Sequence, residues 1–343
     1  MSGNTKIQWT EKTWNPIVGC AKISLGCSNC YAEKEAARNV VRLTASAKTE
    51  KGLATRDAYA QSVHRNGKHW SGKVGLMPHR LTEPMSWRKP AMIFANSMSD
   101  LFHEDVPTSY IDQVFAVIAL TPRHTYQVLT KRPQRMRSYL AGLEQEGVTE
   151  RLSAAADEFG EDAGSWLSNF INGWSMPEQF KDDNPCDGTI RRWPLPNVWL
   201  GTSVEDQKTA NIRLPYLADC PAVVRFLSCE PLLGHIRLTT GIYSQGSGKV
   251  GTSLDDIHWV IAGGESGQNA RPCDVNWLRF MRDQCEIFGV PFFLKQVGAK
   301  PVSSGKPCNN YIMLKHPKGA DPSEWPEDLK GCRVWPGRIA GDE

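Results

Sequence analysis

Three cysteines near the N-terminus carry the clearest chemistry in the chain. Cys20, Cys27 and Cys30 fall within eleven residues, in the stretch Cys20-Ala21-Lys22-Ile23-Ser24-Leu25-Gly26-Cys27-Ser28-Asn29-Cys30-Tyr31. Thiolates at this density suit an iron–sulfur cluster or a zinc ion. Their odd number separates the two. A structural zinc site closes with four protein ligands, and here a fourth would have to come from a distance, with His64, His69, Cys273 or Cys308 as candidates. Three thiolates on a four-iron cluster instead leave one iron open to a ligand. The other seven of the ten cysteines are scattered singly, without the dense framework of a disulfide-stapled secreted domain.

The elements that must position such a loop follow a regular rhythm. Residues 7 to 19 read as an extended segment ending in a Gly turn, which delivers Cys20. Strong helix formers from Tyr31 to Arg38 place Cys30 at or just before a helix N-terminus, where backbone N–H groups favour negative charge. Apolar runs at 91–95, 126–130, 198–201, 223–227, 259–262 and 291–294 then alternate with helical spacing over 110–120, 134–140, about 207–218 and 275–288. Short strands alternating with helices predict βα units and a parallel sheet, with the ligand at the C-terminal strand ends. Polar or glycine residues follow nearly every run: Asn96, Ser97, Ser99 and Asp100; Lys131 and Arg132; Ser203 and Glu205; Glu230; Gly263, Gly264 and Glu265; Lys295 and Gln296. No G-x-G-x-x-G follows a strand and no G-x-x-x-x-G-K-[ST] occurs, which disfavours a dinucleotide fold and a P-loop. The expected fold class is therefore α/β, a partial or full parallel βα barrel.

Three stretches interrupt the rhythm. Residues 48–90 are polar, and from His64 to Lys89 basic and aromatic residues interleave, suiting either a phosphate-tracking, base-stacking surface or a solvated insertion. Residues 142–197, with Pro177, Asp182-Asp183-Asn184-Pro185 and Arg191-Arg192, read as a helical insertion or lid, and 237–257 as a loop or hairpin. The barrel thus covers 1–298, and 299–343 form an extension wrapping the outside. The chain of 343 residues is long enough for one large core, and its net charge of +3 is too small to announce nucleic-acid binding. No run of about eighteen apolar residues and no leader pattern is visible, so no membrane partner and a cytoplasmic, reducing location are expected.

Several of these motifs together resemble the radical S-adenosylmethionine superfamily, and more closely the phage-associated three-cysteine-motif family placed near it. The resemblance rests on Trp14-Asn15-Pro16, Gly19-Cys20, Gly26-Cys27-Ser28-Asn29-Cys30-Tyr31-Ala32, Ser203-Val204-Glu205, Ser228-Cys229-Glu230-Pro231, Gly263-Gly264-Glu265-Ser266-Gly267 and Leu294-Lys295-Gln296, so it spans most of the chain. One departure is the spacing: six residues separate the first two cysteines, where that superfamily usually has three, and two separate the last pair. The resemblance implies a [4Fe–4S] cluster on Cys20, Cys27 and Cys30, with S-adenosyl-L-methionine on the fourth iron and a 5′-deoxyadenosyl radical as the reactive species. It also implies an electron donor such as a flavodoxin or ferredoxin, and the host cytoplasm if the protein is phage-encoded. Chemistry then suggests Asn96, Ser97, Ser99 and Asp100 for the methionine ammonium, Ser203 and Glu205 for ribose hydroxyls and sulfonium, Glu230 as another acceptor at the mouth, and Gly263, Gly264 and Glu265 beside the adenine. Lys131, Arg132, Lys295 and Gln296 would face an anionic substrate, a nucleotide or a DNA base, and family likeness points to thymine hypermodification such as isomerisation of an amino-acid adduct. No catalytic residue is singled out. Two other readings stay open: a zinc-stabilised, non-catalytic nucleic-acid-binding protein, and a metal-free hydrolase using Glu205, Glu230 and Glu265 as acid and base.

Overall fold

The computed structural model describes residues 3–64, 69–172, 193–238, 242–243, 250–251, 254–304 and 311–337. In chain order the strands and helices are β1 (Gly3–Asn4), β2 (Lys12–Trp14), β3 (Ile17–Val18), α1 (Tyr31–Ser46), α2 (Glu50–Ser62), β4 (Gly75–Leu76), β5 (Met92–Ala95), α3 (Thr108–Ala119), β6 (Thr125–Thr130), α4 (Pro133–Glu146), α5 (Val148–Ala156), α6 (Ala163–Ile171) and β7 (Val198–Ser203). They continue as α7 (Gln207–Ala218), β8 (Val224–Cys229), β9 (Ile242–Tyr243), β10 (Val250–Gly251), β11 (Trp259–Gly263), β12 (Cys273–Asp274), α8 (Val275–Ile287), β13 (Phe292–Gln296) and β14 (Pro301–Val302). All six apolar runs read from the sequence are strands.

The main sheet has eight strands in the order β1-β2-β5-β6-β7-β8-β11-β13. The pairs β2–β5, β5–β6, β8–β11 and β11–β13 are parallel, and β1 lies antiparallel on β2. The fold is thus α/β with a large, mostly parallel sheet. Among the described residues no strand pairing joins β13 back to β1, so a closed barrel is not formed. No helix among these residues is long and apolar enough to cross a membrane.

The chain divides into two compact units interleaved in sequence. The first holds Met1–Ile23, Cys30–Leu200 and Cys220–Val223, and the second Ser24–Asn29, Gly201–Asp219 and Val224–Glu343. In the first, α3 is buried along nearly its whole length, from Tyr110 to Ala119, as its almost unbroken apolar sequence requires. The expected insertion at 142–197 becomes α5 and α6, which pack on each other and on α3 and bury Leu152, Leu167 and Phe170. It is therefore part of this unit's core as far as it is described; Pro177, 182–185 and Arg191-Arg192 lie outside the described residues. Residues 48–90 likewise contain α2, capped by the Thr49 side chain accepting from the Gly52 N–H, and β4 paired with β3.

In the second unit α7 begins with a reciprocal cap. The Asp206 carboxylate accepts from the Thr209 N–H while the Thr209 hydroxyl accepts from the Asp206 N–H. Parts of 237–257 are described, and β9 and β10 there form an antiparallel pair. The tail covers the edge strand β13: Leu294 N–H donates to Cys332 O, Val334 N–H to Phe292 O, and the Arg333 guanidinium lies over the Phe293 and Trp325 rings. Covering an edge in this way removes a template for intermolecular pairing. The tail is tied to α8 by Asp328, which accepts from both Arg279 and Arg282; these bonds hold its carboxyl down at about 2.

Gly201 on β7 marks how tightly this unit packs. A Cβ there would sit 2.5 Å from the ring of Phe226 on β8, which is itself fully buried. Gly201→Ala is expected to destabilise the protein by about 1–3 kcal/mol through overpacking, read as a lower urea midpoint with an unchanged slope.

Candidate functional site

In the first unit, Gly19 sets the direction from which the chain enters the cysteine segment. Its φ is +100°, and a Cβ would meet the Lys73 carbonyl at 2.4 Å, so both conformation and space demand glycine. The Gly19 N–H donates to Met98 O, aligning this entry with the loop after β5. That loop is held by Asn15, whose Oδ1 accepts from Ser97 Oγ at 3.1 Å and from Met98 N–H at 2.9 Å. Ser99 Oγ donates to Ile17 O at 3.1 Å. Asp100 is almost fully buried and accepts four hydrogen bonds: Thr130 Oγ1 at 2.7 Å, the N–H groups of Phe102 and Lys131 at 3.0 Å each, and Arg132 Nη1 at 3.2 Å. Asn96 differs from its neighbours. Its φ is +62°, its side chain is buried, and neither amide atom has a hydrogen-bond partner among the described residues.

Cys20 and Cys30 pack, partly buried, against one apolar cluster that includes Val18, Ala32, Ala36, Tyr59 and Met98. Cys20 Sγ has Arg132 Nη1 at 3.8 Å. Cys30 occupies the N-cap of α1 and its own side chain makes no capping hydrogen bond, so the thiol sits at a helix start, where backbone N–H groups favour an anion.

In the second unit, the loop Ser24–Asn29 carries Cys27 in a short 3₁₀ turn. Two buried carboxylates hold this loop. Glu205 has no exposure to water; Oε1 accepts from Ser24 Oγ at 3.1 Å and Oε2 from Arg213 Nη1 at 3.0 Å. Its side chain lies so close to Gly26 that a Cβ at that position would fall 2.4 Å from Glu205 Cγ. Glu265, from the end of β11, accepts from Asn29 Nδ2 at 3.0 Å and is gripped by Arg271 through Nε, Nη2 and the backbone N–H. Arg271 Nη1 reaches on to Leu25 O at 2.9 Å. Burial pushes the Glu265 carboxyl up, but the Arg271 and Asn29 hydrogen bonds outweigh it and leave the group below its ordinary value. Cys27 itself is buried, with Ser24 Oγ 3.7 Å from its sulfur.

The remaining expected residues also fall at strand ends of this unit. Glu230 pairs with Lys295 at 2.9 Å and accepts from Ser228 Oγ at 3.3 Å. Ser203 gives its carbonyl to Arg213 Nη1 at 2.7 Å. At Gly263 a Cβ would lie 3.2 Å from both Glu230 Oε1 and Gln296 O, and at Gly264 one would lie 2.4 Å from Val297 O. Gln296 Nε2 donates to Gly264 O at 2.8 Å. Its amide, like the carboxylates of Glu205 and Glu265, is thus engaged in positioning backbone. Nothing in sequence spacing pointed to Ser24 or Asn15, whose partners lie far away in the chain, or to Arg213 and Arg271, which pair with carboxylates only eight and six residues earlier but read as ordinary helix and loop residues.

Among the described residues no three His, Cys, Asp or Glu side chains converge on one point suited to a single metal ion. Of the distant zinc-ligand candidates, Cys273 is fully buried and burial pushes its thiol up to about 12, His69 lies 3.5 Å from Glu33, His64 gives its backbone N–H to His69 O, and Cys308 lies outside the described residues. The thiolates of a four-iron cluster each meet their own iron and sit farther apart than ligands of one ion. Within the first unit, a cationic neighbour for Cys20 and the helix start at Cys30 are surroundings that suit an anionic group; within the second, Cys27 sits in a braced turn. In the basic aromatic segment, Trp70 is buried in the core and the half-buried Trp87 has Lys12 Nζ over its ring and His124 against it edge-on; Arg65 and Lys68 lie outside the described residues.

Comparison with protein-family models matches residues 4–322 to the family DUF5131, described as a protein of unknown function. The chain belongs to this family. No curated protein and no solved structure matches it. The family match covers the cysteine segment and every strand end discussed above, so in this DUF5131 chain the braced loop belongs to the shared region.

Two outcomes follow for this DUF5131 protein. Glu205→Ala leaves the Arg213 guanidinium buried without its counter-charge and is expected to cost about 3–5 kcal/mol in chemical denaturation. Glu265 has a folded-state pKa below its ordinary 4.5, so its contribution is complete above that value and lost as pH falls through the folded one. The stability gap between wild type and Glu265→Gln should therefore be constant near neutrality and close below about pH 4.5, in urea titrations across a pH series.

Proposed function

We propose that this protein is a radical S-adenosylmethionine enzyme in which Cys20, Cys27 and Cys30 hold a [4Fe–4S] cluster. The observation that carries the reading is the bracing of the loop around Cys27, where two buried carboxylates, each paired with an arginine, fix six residues within the second unit. A turn that only reversed the chain direction would need no such support. Held by Cys20, Cys27 and Cys30, a cluster would supply the one electron needed for reductive cleavage of S-adenosylmethionine into methionine and a 5′-deoxyadenosyl radical, so the hard chemistry would belong to the cofactors. The eight-stranded sheet then serves as a partial barrel of the radical type, with its C-terminal strand ends toward the cofactor.

The chain's own residues bind, orient and exclude water. Asn96 offers an unspent amide at the end of β5, suited to the methionine ammonium or carboxylate, while Asn15 and Asp100 hold its loop. Ser97 and Ser99 share that loop and donate to Asn15 and Ile17 O. Gly263 and Gly264 are assigned to the adenine as backbone at the end of β11, although the space a side chain would take there is filled by Gln296 O, Glu230 and Val297 O. Glu205 and Glu265 act in this reading mainly by fixing the cysteine loop, and Glu230 with Lys295 forms a charged pair whose cation can turn toward a substrate phosphate. The substrate class proposed is a nucleotide or a DNA base, with isomerisation or another base-modifying step as the reaction and a flavodoxin- or ferredoxin-like electron donor.

A metal-free hydrolase draws less support. Glu205, Glu230 and Glu265 each face a cation at 3.0 Å or less, so their oxygens are engaged in internal ion pairs and not presented to a substrate as acid and base. Anaerobically purified or reconstituted protein is expected to be brown, with about four irons and four sulfides per chain, and to release 5′-deoxyadenosine from S-adenosylmethionine on reduction. Cys27→Ala should abolish both. Colourless protein with one zinc per chain, or cleavage unchanged in Cys27→Ala, overturns the assignment.

A further inference from the structure

Arg132 stands at the junction of β6 and α4, and its side chain is only 10% exposed. Its guanidinium is fully directed. Nε meets Glu104 Oε2 at 3.2 Å, Nη1 meets Asp100 Oδ2 at 3.2 Å and Cys20 Sγ at 3.8 Å, and Nη2 lies 3.5 Å from Ala21 O. Nη1 carries two hydrogens, enough for both the carboxylate and the sulfur. Asp100 is itself fixed by three further donors, so the guanidinium cannot swing away without breaking that buried pair. A residue expected at a strand end to meet substrate anions is instead turned onto the first cysteine.

We infer that Arg132 sets the reduction potential of the iron site ligated by Cys20, through its N–H···S hydrogen bond and its buried positive charge. This rests on the reading that Cys20 is a cluster ligand. A hydrogen bond to a ligating thiolate withdraws electron density from the sulfur, and a nearby cation favours the reduced cluster, which carries one more negative charge. Burial keeps solvent from screening that charge. Asp100 and Glu104 oppose the effect. Asp100 is structural and fixed, whereas Glu104 is 67% exposed, so its carboxylate can be neutralised without disturbing the core. Arg132 is a positioning and potential-setting group, acting through Cys20.

The test is a potentiometric titration of the reconstituted cluster, followed by electron paramagnetic resonance, in wild type, Arg132→Gln, Arg132→Lys and Glu104→Gln. Arg132→Gln should make the reduced state at least tenfold less populated at a fixed potential, a shift of about 59 mV to more negative values for a one-electron couple. Arg132→Lys, keeping charge but losing the planar fork, should fall between Arg132→Gln and wild type. Glu104→Gln should shift the potential the other way, and it keeps the proposal testable if Arg132→Gln fails to fold. Wild-type and Glu104→Gln potentials that coincide, together with an unmoved Arg132→Gln where that variant folds, overturn this inference while leaving the cluster assignment standing. Wild-type protein that takes up no iron and sulfide overturns both.

Discussion

A carboxylate with no exposure to water exists in a fold only if its charge is met from both sides, and Glu205 is met by Arg213 and Ser24. Much of the second unit depends on that contact. Arg213 reaches Glu205 because α7 starts where the Asp206–Thr209 cap fixes it, eight residues before the pair closes. The same guanidinium nitrogen also satisfies the Ser203 carbonyl at the end of β7, so strand, cap and helix register are locked together. Gly26 then lies against the Glu205 methylene with no space for a side chain. The position of Cys27 is therefore inherited, link by link, from the register of β7 against α7. Glu265 and Arg271 repeat the device from the end of β11, with Asn29 and Leu25 O as the points of attachment.

The first unit solves a related problem with different groups. Asp100 gathers donors from its own loop, from the end of β6 and from the first turn of α4, and so fixes two strand-end loops with one side chain. Its charge is matched by Arg132, whose spare hydrogen faces Cys20. Glu33 does the same at the start of α1, accepting from the Trp70 N–H and pairing with Lys22 of the cysteine segment at 2.8 Å. In each case a buried acid orders a backbone segment and a neighbouring cation, and the thiols stand beside these fixed charges. Low local dielectric makes such pairs rigid and makes errors in them costly.

The strands were legible in the sequence because each is a short apolar run closed by polar or glycine residues, and that pattern survives without knowledge of partners. The same is true of α3, whose apolar residues bury most of its length, and of the helix start at Cys30. What the carboxylates do was not legible. Glu205 and Glu265 read as open acceptors because their cations, Arg213 and Arg271, are ordinary helix and loop residues whose meaning arises only when the chain is folded. The aromatic segment was ambiguous for the mirror reason: Trp70 and Trp87 alternate with basic residues in sequence, and only packing takes Trp70 into the core and Trp87 against Lys12 and His124. Sheet closure was also beyond reach, since an alternating βα rhythm is common to open and closed sheets, and only the pairing of the edge strands separates them.

Asn96 is the counterpart to all these satisfied groups. A non-glycine residue at positive φ carries backbone strain, and a buried amide without partners forgoes the hydrogen bonds it would make in water, on the order of 1–3 kcal/mol. Neither cost is relieved by Asn96 itself. Both are tolerated because Asn15, Asp100 and the Gly19–Met98 contact determine the loop on either side of it. Where every neighbouring acid has been committed to internal structure, an amide left uncommitted between two fixed anchors is the group with hydrogen-bonding capacity still to give. The rigidity that closes off Asp100 is thus what keeps Asn96 open.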